Sequence, residues 1–322
     1  MGKIESTILT ILAFFIKLLG KNKLLIVNYH RIHNTHDLFF DDDIDQAYFS
    51  WQIRLMSQYL SPVLLNDGLI KLTTGQLPGG SIVVTFDDGY RDNFIDAFPI
   101  LKQYNVPATF YIASDFLNGG IMWNDVIIES IKLTSKKTLD LSKLGFKQYS
   151  LSSKEEKIIA IEDIIKQVKY KQLHDRLQIV TELNQICEVD LPDKLMMDDE
   201  HVIQLHQQGI EIGGHTSHHP ILSSEDDKVV IEELLAGKYY LETLLNTELS
   251  SFAYPNGKLN KDYKEKHAVM VKSAGFKSAV TTNWGINTRT TEYFQLYRFT
   301  PWDKSPILFL LRLLKLSVFN RV

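Results

Sequence analysis

The sequence predicts an α/β fold built on a parallel sheet, and three observations carry that expectation. Short apolar runs rich in β-branched and aromatic residues recur, among them residues 24–29, 82–86 and 106–113. Near-continuous runs of that kind read as strands buried on both faces. Residues 97–104 carry a helical pattern between two of these runs, so strand, helix and strand follow at βαβ spacing and the pair is parallel. Chemistry-bearing side chains then stand where the runs end, His30 after the first and Asp87-Asp88-Gly89 after the second. Sites in parallel α/β folds lie at the carboxyl ends of strands.

In chain order, residues 49–59 have helical spacing (Phe49, Ile53, Met56), and Leu64-Leu65 reads as a short strand. Asp41-Asp42-Asp43 reads as a solvated acidic turn. From Trp123 to about Asp198 the chain turns rich in Lys and Glu and holds no catalytic-looking cluster. Ser152 with Glu155 reads as a capping box before Ile158, Ile161, Ile164 and Ile165, and a second helix is expected near residues 173–186. This stretch is expected to be a helical insertion between barrel strands, or equally a lid. The βα pattern resumes with a helix capped by Asp198 or Asp199 and a strand through Gly213-Gly214. A long helix from Ser223 or Ser224 to about Leu245 follows. Strands near residues 252–253, 279–281 and 296–299 close the series, with a helix near 261–273.

Composition excludes several function classes. The net charge is -4, with 44% apolar and 23% charged residues. No basic excess points to nucleic acid. The single cysteine, Cys187, allows neither an internal disulfide nor a cysteine zinc cluster and is expected simply to be buried. Residues 8–19 are apolar apart from Thr10 and Lys17, too few to span a bilayer comfortably and a weak match to a signal peptide. Residues 307–319 are apolar with Arg312 and Lys315, and Arg321 follows; that suits a basic amphipathic helix on a membrane. Packing of both terminal helices on the domain is the preferred expectation, with peripheral membrane contact the alternative.

Asp87 and Asp88 raise the question of which cation they meet, because ionised carboxylates beside a core need a charge or hydrogen bonds. An Asp-Asp-Gly turn capping the next helix is the plainer answer. His215 and His219, separated by three residues after two glycines, can converge on one ion, with Asp88 as the carboxylate if the two strand ends are neighbours. His218 is expected to face away. A solvated histidine turn is the other reading.

Thr-Phe-Asp-Asp-Gly-Tyr at 85–90, His-Thr-Ser-His-His-Pro at 215–220 and Phe-Ala-Tyr-Pro-Asn-Gly at 252–257 together resemble the NodB-homology polysaccharide deacetylases, carbohydrate esterase family 4. The resemblance implies a distorted (β/α) barrel of about seven parallel strands over residues 24–301. The insertion would span 124–198, with an apolar helix before the barrel (1–23) and an amphipathic helix after it (302–322). It implies a divalent metal, zinc above all, on Asp88, His215 and His219, with Asp87 as general base. A backbone N–H of Asn256 would stabilise the oxyanion. The implied reaction removes N-acetyl groups from a sugar of a cell-envelope polysaccharide or lipid-linked glycan.

The chain departs from the family pattern twice at the site. Ala253 stands where the third motif usually has the arginine that orients the base, so Asp87 needs another tether, Arg298 or Arg91. The late Leu-x-His segment reads Leu296-Tyr297-Arg298, without the histidine that usually acts as general acid. A family branch acting on poly-N-acetylglucosamine carries that histidine after the first strand, which makes His30 of Asn28-Tyr29-His30 the candidate. Tyr90, Tyr254, Asn256 and Arg298 are candidate substrate contacts, and Trp123 and Trp284 could stack on sugars. The missing arginine and histidine also suit a catalytically inactive member that binds carbohydrate or serves in assembly at a membrane. The expected location is the cytoplasm or the cytoplasmic face of the membrane, with an uncleaved anchor as the alternative.

Overall fold

The computed structural model describes residues 3–34, 39 and 44–319. The acidic run Asp41-Asp42-Asp43 and Arg321 lie outside the described residues. The chain begins with α1 (Lys3–Leu19), β1 (Leu25–Tyr29), α2 (Gln46–Tyr59), β2 (Ser61–Pro62), α3 (Leu65–Thr74) and β3 (Ser81–Phe86). Next come α4 (Phe98–Gln103), β4 (Ala108–Ile112), α5 (Trp123–Leu133), β5 (Thr138–Asp140), β6 (Gln148–Ser150), α6 (Lys154–Val168) and α7 (Leu173–Cys187). The remainder is α8 (Asp199–Gln207), β7 (Glu211–Gly214), α9 (Asp227–Leu245), β8 (Ser251–Ala253), α10 (Glu265–Ser273), β9 (Ser278–Val280) and α11 (Pro306–Phe319).

The main sheet is parallel in the order β1-β3-β4-β7-β8-β9, and β2 pairs with the first two residues of β3 before β4 joins at Val84. The segment around Leu296 and Phe299 makes parallel bridges to Val280 and Val27, so it links the last strand back to the first and curls the sheet into a distorted barrel. Both faces are covered. Leu25, Val27, Ile82, Val84 and Phe86 face the outer helical layer, while Ile26, Val83, Tyr111, Val280 and Leu296 fill the interior over α3. That double burial is why the strands read as unbroken apolar runs.

Three local expectations change. Leu64-Leu65 opens α3 rather than forming a strand, and the short strand lies earlier, at Ser61–Pro62. The capping box is Ser153 with Glu156, one residue later than expected, because Ser153 is the residue whose extended backbone precedes the helix. The long helix starts after Asp226; Leu222–Ser224 forms only a 3-10 turn. The stretch between β4 and β7 builds its own core, including Ile127, Leu139, Ile161, Val180 and the buried Cys187, around α5, α6, α7 and the antiparallel β5–β6 pair.

Candidate metal centre and catalytic cleft

Alternation along β3 aims Val83, Thr85 and Asp87 into the barrel. Asp88 should then point outward, yet its backbone adopts the left-handed region (φ 78°) and swings its carboxylate over the strand ends. Non-glycine residues pay for that conformation in strain of order 1–3 kcal/mol, and such residues cluster at functional sites. Thr216 (φ 64°), His219 (φ 52°) and Asn256 (φ 58°), on the loops after β7 and β8, adopt it as well. The glycines before His215 have a packing reason, since a Cβ at Gly213 would meet the Tyr111 ring at 2.5 Å.

Asp88, His215 and His219 each offer one ligand atom, and the three atoms lie within 4.8 Å of one another. Asp88 Oδ1 is 3.2 Å from His215 Nε2 and 3.4 Å from His219 Nε2. The Nδ1–H of His215 donates to the Ala253 carbonyl at 2.7 Å, which leaves its Nε2 lone pair on the Asp88 side. Asp88 Oδ1 and His219 Nδ1 are buried without a hydrogen-bond partner. Burial pushes the His219 imidazole down to about 3, so it stays neutral with a lone pair free for a cation. Burial alone would also lower His215, but the neighbouring Asp88 and Asp87 carboxylates outweigh that and raise it. Two imidazoles and one carboxylate with an orphaned buried oxygen fit a divalent transition-metal ion with an open coordination position.

Asp87 has the opposite electrostatics. Arg298, on the segment that closes the barrel, is fully buried and donates from Nη1 and Nη2 to the two Asp87 oxygens at 2.7 Å each. The guanidinium is itself fixed by Asn28 Oδ1, Thr85 Oγ1 and the Thr281 carbonyl. Burial would raise the Asp87 carboxyl; the Arg298 charge and fork outweigh it and hold the carboxyl below its ordinary value. The tether is therefore Arg298. Arg91 points elsewhere, 3.8 Å from Asp198. The expectation of Arg298 as a substrate contact falls, because the side chain has no exposed surface.

His30 stands at the end of β1, half exposed, with Nε2 3.9 Å from Asp87 Oδ2. Both line a cavity of about 470 Å³ with Asp88, His215, His219, Asn256 and Trp123. A second cavity of about 230 Å³ shares His30 and Asp88 and runs past Tyr90, Arg31 and Asp125. Tyr90 thus borders the second arm, its hydroxyl donating to Asp125. Tyr254 does not reach either cavity: it is fully buried, stacks on Tyr263 and donates to the Phe294 carbonyl. Trp284 packs at a tilt against Trp302, and neither cavity is lined by it. The alternation after the strand turned these two rings into packing.

Two positioning groups had no signal in the sequence. Glu233 on α9 accepts from the backbone N–H groups of Ser217 and His218 and from His218 Nδ1. With Asp115 on its other nitrogen, His218 faces away from the triad. Arg176 on α7 is fully buried, donates to the His219 carbonyl at 2.9 Å and lies over the Trp123 ring. An arginine in a helical pattern reads as solvated surface until the helix is docked.

A family model described as polysaccharide deacetylase matches residues 74–140 and 162–278, more than half of the chain. The chain belongs to the polysaccharide deacetylase family. It is the NodB-homology group whose motifs the sequence carries. Over 277 residues the chain is 21% identical to YxkH of Bacillus subtilis, covering 86% of this chain and 70% of that protein. It is 30% identical over 105 residues to the poly-β-1,6-N-acetyl-D-glucosamine N-deacetylase of Staphylococcus aureus. That match spans 29% of this chain and little more than a third (36%) of the relative's length. The Streptococcus pyogenes deacetylase PplD, solved with acetate, has the same fold. The two superpose with a TM-score of 0.60 at 20% identity over 91% of this chain and 98% of that one.

Proposed function

We propose that this polysaccharide deacetylase is a divalent-metal-dependent N-deacetylase, with zinc as the ion, acting on an N-acetylated amino sugar of a cell-envelope polysaccharide or lipid-linked glycan. The observation that carries the reading is the convergence of one ligand atom each from Asp88, His215 and His219 within 4.8 Å of one another, with Asp88 Oδ1 buried and without a hydrogen-bond partner. When bound, a divalent cation held by these three residues supplies Lewis acidity, which makes water a competent nucleophile near neutral pH and polarises the acetamide carbonyl.

The chain's own residues do the rest. Asp87, kept ionised and aimed by Arg298, removes the proton of the attacking water. The carbonyl carbon becomes tetrahedral, and the Asn256 backbone N–H donates to the oxygen on which the negative charge develops. His30 gives a proton to the amine nitrogen as the C–N bond breaks, because an amide anion cannot leave. Acetate and a free amino sugar result. His30 Nε2 lies 3.9 Å from Asp87 Oδ2, beyond a direct hydrogen bond, and both groups open on the same cavity, where a substrate amide can reach each of them. Purified protein is expected to release acetate from an N-acetylglucosamine oligomer or a lipid-linked N-acetyl sugar, and a chelator to abolish this. Full activity in metal-stripped Asp88→Ala or His215→Ala protein rejects the metal assignment.

We also infer that the helix pair α1 and α11 rests on an anionic lipid surface. The two helices pack together through Leu9, Ile16, Leu313 and Leu316, yet leave Ile11, Phe14, Leu18, Leu308, Leu311 and Phe319 exposed. Exposed Lys17, Lys21 and Lys315 accompany that apolar face, as anionic headgroups require. Among the described residues no helix is long and apolar enough to cross a membrane. Cosedimentation with phosphatidylglycerol vesicles, weakened in Phe14→Ser/Leu18→Ser protein and absent with phosphatidylcholine alone, is the expected result. Self-association without vesicle binding overturns it in favour of a second copy.

A further inference from the structure

The larger cavity leaves the triad in one direction and ends at a rim made by the end of α6 and the loop after β8, with Lys169, Tyr170, Lys258, Lys261 and Asp262. Lys169 and Lys261 each place their ammonium 5.8 Å from the Tyr170 ring centre. Among the described residues none of the three lysines forms an ion pair with a carboxylate. The rim's one acidic group is already engaged: Asp262 is buried and accepts from the Tyr170 hydroxyl at 2.9 Å and the Lys258 backbone N–H at 3.0 Å. The rim therefore carries three cations against one anion whose oxygens are in use. Burial and the charges of Lys261 and Lys258 push the Lys169 ammonium below its ordinary value, against the pull of Asp262. Like charges held together in this way are relieved by an incoming anion.

The second arm of the cleft is the internal control. Its cations are neutralised within the protein, Arg31 by Asp92 at 2.8 Å and Lys132 by Glu129 at 3.2 Å. A cleft meant for a neutral glycan has no reason to leave only one of its arms unbalanced.

Resting on the N-deacetylase reading above, we propose that the Lys169–Lys258–Lys261 rim is an anion-binding subsite, so that the substrate is an acidic glycan with a phosphodiester or carboxylate beside the N-acetylated sugar. Because the rim and the triad share one cavity, the anion and the reacting acetamide belong to one molecule.

The test uses the metal-loaded full chain and three matched N-acetylglucosamine oligosaccharides: neutral, phosphodiester-linked and uronic-acid-bearing. An acidic substrate is expected to be favoured about tenfold in kcat/KM, chiefly through KM, as one or two charge-assisted contacts predict. The advantage should shrink between 20 mM and about 500 mM salt as screening sets in. In Lys258→Gln/Lys261→Gln protein, altered only at exposed side chains, and in a second variant with Lys169→Gln added, the ratio should fall toward one. Preference for the phosphodiester or the uronic acid tells which anion the rim takes. Equal KM for all three compounds in the unaltered protein, or a preference that survives the triple substitution, overturns the subsite. Should no compound release acetate, the deacetylase reading fails, and calorimetric titration of the same three compounds still decides the subsite.

Discussion

The floor of the cleft and its lysine-bearing wall follow opposite electrical plans. On the floor the groups are held in place: Arg298 grips Asp87 by two bonds, and Asp88 is buried with Oδ1 3.2 and 3.4 Å from two imidazoles. The wall leaves Lys258 and Lys261 exposed and without a carboxylate of their own. A group that moves protons must be held in one geometry, and the fold spends buried hydrogen bonds and strained backbone on it. A group that meets a ligand of variable shape is left to water until that ligand comes. The same division separates barrel from insertion, since strand ends supply the floor while α6 supplies part of the wall.

The harshest way to break this contrast is to make the floor resemble the wall by removing Asp87's partner. Arg298→Met leaves a buried carboxylate unpaired, which is expected to cost about 3–5 kcal/mol of stability at neutral pH. The sign with pH follows from the depressed Asp87 carboxyl. Its stabilisation by Arg298 is present above the ordinary carboxylate range and is lost as pH falls through the folded-state value. In the variant burial acts on Asp87 without Arg298 to oppose it and raises the carboxyl, so the deficit should be largest near pH 8 and shrink toward pH 4 as Asp87 takes up its proton. Freed from Arg298, Asp87 titrates higher, so any remaining activity should show its acid limb displaced upward. A deficit that does not vary with pH, with an unmoved acid limb, would show that the pair is only packing.

His30 sharpens the contrast from the other side, being a floor residue that is half exposed. His30→Ala should keep the fold and lower kcat by about 10²–10⁴-fold, with KM little changed. If the residue protonates the leaving amine, an O-acetyl ester analogue, whose alkoxide leaves more readily, should lose much less. Equal losses on amide and ester would remove His30 from that role.

Much of the floor is legible in the sequence because strand alternation and motif spacing are local. Asp87, Asp88, His215 and His219 could be placed at strand ends from their neighbours alone, and the structure brings them together. The tether was only half legible. Leu296-Tyr297-Arg298 announces a strand-like segment, but that it closes the barrel beside β1, and so carries Arg298 to Asp87, is a pairing across 211 positions. Arg176 and Glu233 were invisible for the same reason: their partners are backbone groups of a loop on another element. Tyr254 and Trp284 misled because an aromatic ring next to a motif looks the same whether it faces the cleft or the core. The insertion's wall had helical periodicity but no motif, since unpaired lysines on a helix end read as ordinary surface.

The last contrast concerns the second arm, where one acid sits between the two plans. Asp125 is buried like a floor residue, but its contacts are the Tyr90 hydroxyl at 2.9 Å and the field of Arg31, which already belongs to Asp92. Burial pushes its carboxyl up to about 7 despite that field. In the unfolded chain the same group titrates near 3.9. The folded state thus binds this proton more tightly, and stability falls as pH rises from about 4 to about 7, then levels off. Asp125→Asn removes the titration while keeping an oxygen that can accept from Tyr90. The melting temperature of the variant relative to the parent should therefore climb steadily across that window and stay flat above it, because every other titrating group is common to both proteins. A constant offset from pH 4 to pH 8 would mean that Asp125 is already ionised and compensated, and that the second arm is built on the same plan as the floor.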